Sequence, residues 1–356
     1  MIDALLSLPS VCETLRQSGL PVYLYGTGDG ADKILDYLTQ GGIRVHGVFA
    51  SEGFVRDRTF RGYKVESLRD VELREGRIAC VLCFGLEGAA AFSFFKPLAD
   101  KHLLLAPALP VYGTGQLDHE MLRERRADCE RVFGWLSDEL SRTVYRDVLA
   151  YHLTGDIRYL QTDTDTTEVP CGYISHSKIH IDVGAYDGDT AREYLQMNRD
   201  VSKILAFEPN AQTFRKLKNN TDPLRVECYL AACGAKDTTA SHGGSGRGSH
   251  LELGAGDVAV RALDSVCGYP FVGSHGMEIG SIKIDAEGED AAVLQGAANL
   301  ITACRPALCV SAYHRASDLL DLPLLLKRLD YRSELYFRKK PYVPAWDTLF
   351  YLIPKR

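Results

Sequence analysis

The chain has 356 residues, of which 46% are hydrophobic and 25% charged, and its formal charge at pH 7 is −6. That length predicts two domains, each with its own core, and the composition excludes a disordered or fibrous chain and a disulfide-stapled miniprotein. With 41 basic against 47 acidic residues and no long run of one sign, the sequence lacks the concentrated positive field that nucleic acid or an anionic membrane surface demands.

The amino terminus, MIDALLSLPSVCETL, has no basic leader and no apolar core long enough for export. No run of about 18 apolar residues occurs, so no spanning helix and a cytoplasmic location are expected. Residues 22–30, VYLYGTGDG, form an apolar strand and a tight glycine turn that runs into the helical pattern ADKILDYL. Further apolar strands fall at 43–50, 78–84 and 103–111, separated by helical or turn-rich stretches. Strands alternating with helices imply a parallel sheet covered on both faces, hence a small doubly wound α/β domain over residues 1–113. Its GTGDGA turn is a weak nucleotide signal by itself, because the second strand ends at Ala50 and Ser51 with Glu52 displaced by one. A structural or substrate-presenting role is expected for this Rossmann-like unit. The ten cysteines are scattered, and the one close pair, Cys80 and Cys83, lies in an apolar run that reads as a buried strand rather than a metal or redox site.

Residues 114–175 are expected to form a helical connector. Apolar positions recur there at helical spacing (Met121, Leu122, Cys129, Val132, Phe133, Leu136, Leu140, Val144, Val148), giving a face for a domain or for the second copy of a homodimer. The cluster RERRADCER is expected to be its solvated side. In residues 176–356 strand signals resume at 179–183, 204–207, 226–230, 282–284, 307–313, 335–337 and 348–353. Helical patterns separate the first five. The last two are joined by a loop with Pro341 and Pro344 that is too short for a helical crossover, so they pair antiparallel. Five parallel strands ending in an antiparallel hairpin is the plan of a class I methyltransferase sheet. Residues 242–256, HGGSGRGSHLELGAG, are expected to be a loop, either a lid or an insertion.

The chemistry gathers in this second half. The strand Ile179–Val183 delivers Asp182 to its carboxyl end, and GAYDG follows at once. That edge of an open α/β sheet is where ligands bind. Gly184 is expected to clear a path for a ligand and Asp187 to add a second carboxylate. The next strand ends in Glu208, placed to accept hydrogen bonds from both hydroxyls of an adenosine ribose. A dinucleotide needs the G-x-G-x-x-G form, whereas Asp182, Tyr186 and Asp187 crowd the position of its anionic oxygens. The acidic turn suits a cationic adenosine ligand, and S-adenosylmethionine carries an ammonium and a sulfonium. The alternative duty of Asp182 and Asp187 is to cap the following helix.

The stretches HIDVGAYDGDT, AFEPN, LAACG, IKIDAEGED and QGAANL, in that order, resemble the FkbM-type S-adenosylmethionine-dependent methyltransferases. The resemblance covers about residues 140–356, and Ala286 departs from the K-I-D-V-E-G pattern. It implies methylation of a hydroxyl, often on a sugar or sugar-bearing metabolite. It also implies a cofactor site made of Asp182, Gly184, Ala185, Tyr186, Asp187, Glu208, Pro209, Asn210 and the Ala231–Ala232 turn. Asp285, Glu287 and His314 follow the fourth and fifth strands and are the expected catalytic residues. His314 is the expected base because its ordinary pKa lies near neutrality. Asp285 and Glu287 are expected to bind the acceptor or a divalent ion; helix capping for these two and a satisfied half-buried imidazole for His314 are the alternatives. Two competing functions remain: an oxidoreductase or epimerase using a nucleotide or nucleotide sugar in the first domain, and a non-catalytic assembly protein that keeps the cofactor fold.

Overall fold

The computed structural model describes the chain except residues 56, 89, 162–167, 175–178, 244–249, 255, 269–278, 330, 331 and 356. The first sheet contains β1 (Val22–Tyr25), β2 (Val45–Ala50), β3 (Thr59–Phe60), β4 (Tyr63–Ser67) and β5 (Ala79–Leu82). After β6 (Leu86–Glu87), which lies outside it, β7 (Leu103–Leu105) completes the order β3-β4-β2-β1-β5-β7. Every pairing in it is parallel except β3 with β4. β1 and β5 are buried at every position, as strands covered on both faces must be. The sequence pattern missed β3 and β4 because only Phe60 and Val65 in them are buried, too few to mark a strand. The strand expected at 103–111 ends at Leu105. Cys80 and Cys83 are buried, free, and have their thiols pushed up by burial, as a strand core requires.

The second sheet is assembled from β8 (Ile179–Val183), β9 (Lys203–Phe207) and β10 (Val226–Tyr229). A small four-stranded sheet intervenes: β11 (Ala232–Cys233), β12 (Thr238–Gly243), β13 (His250–Leu253) and β14 (Val258–Arg261). Then come β15 (Ile279–Ile284), β16 (Ala307–Ser311), β17 (Ser333–Lys339), β18 (Tyr342–Val343) and β19 (Thr348–Pro354). The seven-stranded order is β10-β9-β8-β15-β16-β19-β17, parallel from β10 to β16 and antiparallel at β19. This is the expected class I plan. The small sheet corrects the loop expected at 242–256: β12 and β13 pair antiparallel from Ala240–Leu253 to Gly243–His250, while residues 244–249 and 255 lie outside the described residues.

The connector forms helices His119–Glu124, Arg126–Trp135 and Glu139–Thr154. It packs on the second sheet and closes that sheet's β17 edge, where unpaired backbone groups would otherwise face solvent. Ser137 N donates to Leu335 O (2.8 Å), Ser137 Oγ accepts from Leu335 N (3.1 Å), and Ser141 Oγ accepts from Phe337 N (2.9 Å). The basic cluster is more than a solvated face. Arg125 reaches Asp128 (2.5 Å) and Asp321 (2.8 Å), and Arg126 pairs with Asp3 (2.6 Å), tying both ends of the chain to the connector.

One apolar cluster runs through all three parts, from Ile2, Tyr23 and Phe95 through Tyr145 and Val148 to Ile181, Phe337 and Phe350. The two sheets are also joined directly, because β6 pairs antiparallel with β18 (Glu87 with Tyr342, Leu86 with Val343). Gly85 makes this approach possible: a Cβ there would lie 2.7 Å from the Tyr342 ring and 2.8 Å from Trp346. Among the described residues no helix is long and apolar enough to cross a membrane.

Candidate functional site

Both sheets present the carboxyl ends of their parallel strands to one region, and the second supplies most of its charge. Asp182 is the fourth residue of β8 and wholly buried. Its Oδ2 accepts from Thr190 Oγ1 (2.6 Å), whereas its Oδ1 accepts no hydrogen bond and lies 3.4 Å from Lys283 Nζ. Lys283 comes from β15, where it stands in register with Asp182. Its ammonium donates to Gly184 O (2.9 Å) and lies 3.7 Å from Asp285 Oδ2. Burial alone would lower Lys283, but Asp182 and Asp285 outweigh it and hold the ammonium above its ordinary range.

The charges then alternate onward. Burial would raise the Asp285 carboxyl; Lys283 and His314 instead hold it well below the usual carboxylate range. His314 is fully buried after β16. Its Nδ1 lies 2.9 Å from Asp290 Oδ2 and its Nε2 3.2 Å from Asp285 Oδ1. Burial disfavours its cation, whereas Asp290 and Asp285 together push its pKa well above the ordinary value. The imidazole is enclosed, hydrogen-bonded to Asp290 through Nδ1, while its buried Nε2 makes no hydrogen bond. Asp290 also accepts from Ala286 N (2.9 Å) and Gly288 N (3.2 Å), which fixes the turn that carries Glu287. Asp285, Asp290 and His314 place three possible ligand atoms within 4.8 Å of one another. Glu287 has a left-handed backbone (φ 50°) and a side chain 58% exposed on the cleft floor. Withdrawal from bulk water there raises its carboxyl; His314 opposes the shift, and Asp285 and Asp290 add to it.

Gly184 also has a structural duty: at φ +74° a Cβ would fall 1.9 Å from the Asp285 carbonyl oxygen, so glycine is needed for β8 and β15 to end side by side. Ala185 is fully buried and Tyr186 is exposed beside it with φ 45°. Asp187 is partly engaged: its Oδ1 lies 3.5 Å from Arg192 but accepts no hydrogen bond. Neither Asp182 nor Asp187 caps the following helix, Asp189–Met197, whose first turn begins at Gly188 without a side-chain cap.

Glu208 stands at the end of β9, 7% exposed, with Oε1 accepting from Asn210 N (2.7 Å), and burial pushes its carboxyl up to about 7. Asn210 is committed elsewhere, because its Oδ1 caps helix Ala211–Asn220 by accepting from Gln212 N and Thr213 N. Pro209 is half-buried between them, and Ala231 and Ala232 are buried just past β10. Sequence reasoning missed Lys283, Thr190, Tyr313 and Asp290 as members of the cluster. Lys283 had a legible signal: a lysine inside the buried run IGSIKI must be paired.

Glu287, Tyr186 and Tyr313 open onto a cleft of about 1050 Å³ that the first domain closes from the other side with Asp29, Gly30 and Lys33. Tyr313 OH donates to Asp285 Oδ1 (3.3 Å), linking the cleft to the charged cluster. Tyr112 N donates to His314 O (2.8 Å), and Arg315 lies 4.4 Å over the Tyr112 ring, so the segment leaving the first sheet rests on the site itself.

Residues 182–333 match the family model described as Methyltransferase FkbM domain. Among solved structures, the chain is similar to methyltransferase FkbM from Methylobacillus flagellatus KT, with 18% identity, a TM-score of 0.69, and 99% of this chain and 96% of that chain covered. That likeness extends over both sheets and is one of fold. An SAH-bound Podospora anserina methyltransferase (PaMTH1) matches at 12% identity and a TM-score of 0.32, covering 67% of this chain and 96% of that one. No curated protein matches the sequence.

Proposed function

From a chain whose residues 182–333 carry an FkbM methyltransferase domain, of the S-adenosylmethionine-dependent methyltransferase family, we propose an enzyme that methylates a hydroxyl on a sugar or sugar-bearing metabolite. The observation that carries this reading is the pair of carboxylates ending adjacent strands: Asp182, with a buried oxygen that accepts no hydrogen bond, and the buried Glu208.

These residues fit the cofactor. Glu208 would accept from the ribose hydroxyls, and Asp182, Tyr186 and Asp187 would line its cationic end; one oxygen each of Asp182 and Asp187 is held by an ion pair alone and accepts no hydrogen bond. When bound, S-adenosylmethionine supplies a methyl group activated by a sulfonium. The chain's own part is to position the acceptor and manage its proton. Lys283 and His314 keep Asp285 ionised, so Asp285 accepts a hydrogen bond from the acceptor hydroxyl and orients it. A carboxylate held so far down is a weak base. Glu287, open to the cleft and within reach of an acceptor held at Asp285, takes the hydroxyl proton, and the upward shift of its carboxyl makes it a stronger base than Asp285. His314 acts through Asp285 and is a positioning residue.

Calorimetric titration with S-adenosylhomocysteine tests the reading. The wild type should bind, and Glu208→Ala should weaken binding by at least about tenfold, the loss of charge-assisted hydrogen bonds to two hydroxyls. No binding by the folded wild type overturns it.

A further inference from the structure

We propose that the first domain is the acceptor-binding half of the site, and that the cleft between the sheets takes an uncharged, ring-bearing acceptor rather than a phosphorylated or nucleotide-linked one. This rests on the methyltransferase reading and adds which part of the chain selects the substrate, and by what charge.

The cleft, about 1050 Å³, holds far more than a single hydroxyl. Its ionisable lining is acidic: Asp29, Glu87, Glu287 and Asp347 against Lys33 and Arg315. Arg315 is already engaged, donating to Gly288 O (2.5 Å) and Glu289 Oε1 (2.9 Å) while stacking on Tyr112. Lys33 is turned to the Val111 carbonyl (3.4 Å). Among the described residues, a polyphosphate would enter a chamber of its own sign with little free positive charge to meet it.

The glycine turn of the first domain is unsuited to phosphate for two further reasons. Asp29 and Asp32 occupy the first turn of helix Asp29–Gln40 and offset the positive end of its dipole. Gly30 is consumed by packing, since a Cβ there would meet the Cys83 carbonyl oxygen at 2.5 Å. What the cleft does offer is aromatic surface: Phe84 from the first domain, and Tyr313, Tyr342 and Trp346 from the second. Such faces bind the apolar faces of rings, and the carboxylates around them accept from hydroxyls.

The test uses the full chain saturated with S-adenosylhomocysteine and ligand-observed NMR with matched fragments: neutral ring-bearing alcohols, each paired with its phosphate monoester. The neutral members should bind and their phosphates should bind about tenfold or more weakly. Phe84→Ala and Trp346→Ala should each weaken the neutral fragments by about fivefold or more while leaving S-adenosylhomocysteine affinity unchanged. The double variant Asp29→Asn with Glu87→Gln should narrow the gap between each alcohol and its phosphate. Preference for phosphates, absence of binding by either class, or binding indifferent to Phe84 and Trp346 overturns the proposal. Failure to bind S-adenosylhomocysteine at all points instead to failure of the methyltransferase reading.

Discussion

A carboxyl raised by burial to about 7 would make Glu208 a proton switch within the proposed adenosine site. Its folded value is raised, so the stability it contributes is present in full below its unfolded pKa, about 4.3, and is lost as pH rises through about 7. Glu208→Gln should therefore gain on the wild type across that window, by up to roughly 3 kcal/mol in urea denaturation at pH 8. Ribose hydroxyls need the ionised form, so S-adenosylhomocysteine should displace a proton near pH 6.5; binding heats independent of buffer ionisation enthalpy would refute this. Gly184 makes a harder demand. Gly184→Ala puts a methyl group into the Asp285 carbonyl at a left-handed φ, and should cost about 3 kcal/mol or more in thermal unfolding. A variant as stable as the wild type would mean that β8 and β15 can part without penalty.

At the scale of elements, the connector's longest helix is held to the sheet by a buried charge. Asp138 caps helix Glu139–Thr154 by accepting from Ser141 N (2.7 Å) and pairs with Arg338 (2.7 Å), which is 4% exposed. Asp138→Ala removes the cap and strands a buried guanidinium, which predicts a loss of about 3–5 kcal/mol in denaturant unfolding. Asp138→Asn, which keeps the cap, should lose less. Elements like this helix, or β8 and β16, were legible because burial on one or both faces writes itself into sequence period. β4 was not, with one buried residue in five, nor was the β12–β13 pair, whose short strands flank a glycine-rich stretch that reads as loop. Of the candidate site, Asp182, Glu208, Asp285 and His314 were legible as strand-end residues. The pairing of His314 with Asp290 was not, because the approach of Asp290 follows from the fold of a turn.

Across the whole molecule, the site is complete only where distant segments meet, such as Gly85 against Trp346, and no local pattern encodes such a contact. The shared apolar cluster and the β6–β18 pairing predict that both sheets unfold together, in one calorimetric transition. Two resolved transitions in the wild type would show that the halves are independent. Gly85→Ala should lower the melting temperature by wedging the aromatic loop away from the first sheet, and its effect should exceed that of an exposed glycine such as Gly53, where a Cβ meets nothing within 4 Å.

The short ladder between β6 and β18 also says how such a molecule can diversify. The halves are clasped by two-residue strands on loops rather than along a full sheet edge. An exchanged first domain would need a matching two-residue strand, an alcove for the aromatic loop and an apolar face for the shared cluster to inherit the same charged cluster. On the proposed division of the site, new acceptor preferences would then arise by replacing one wall of the chamber.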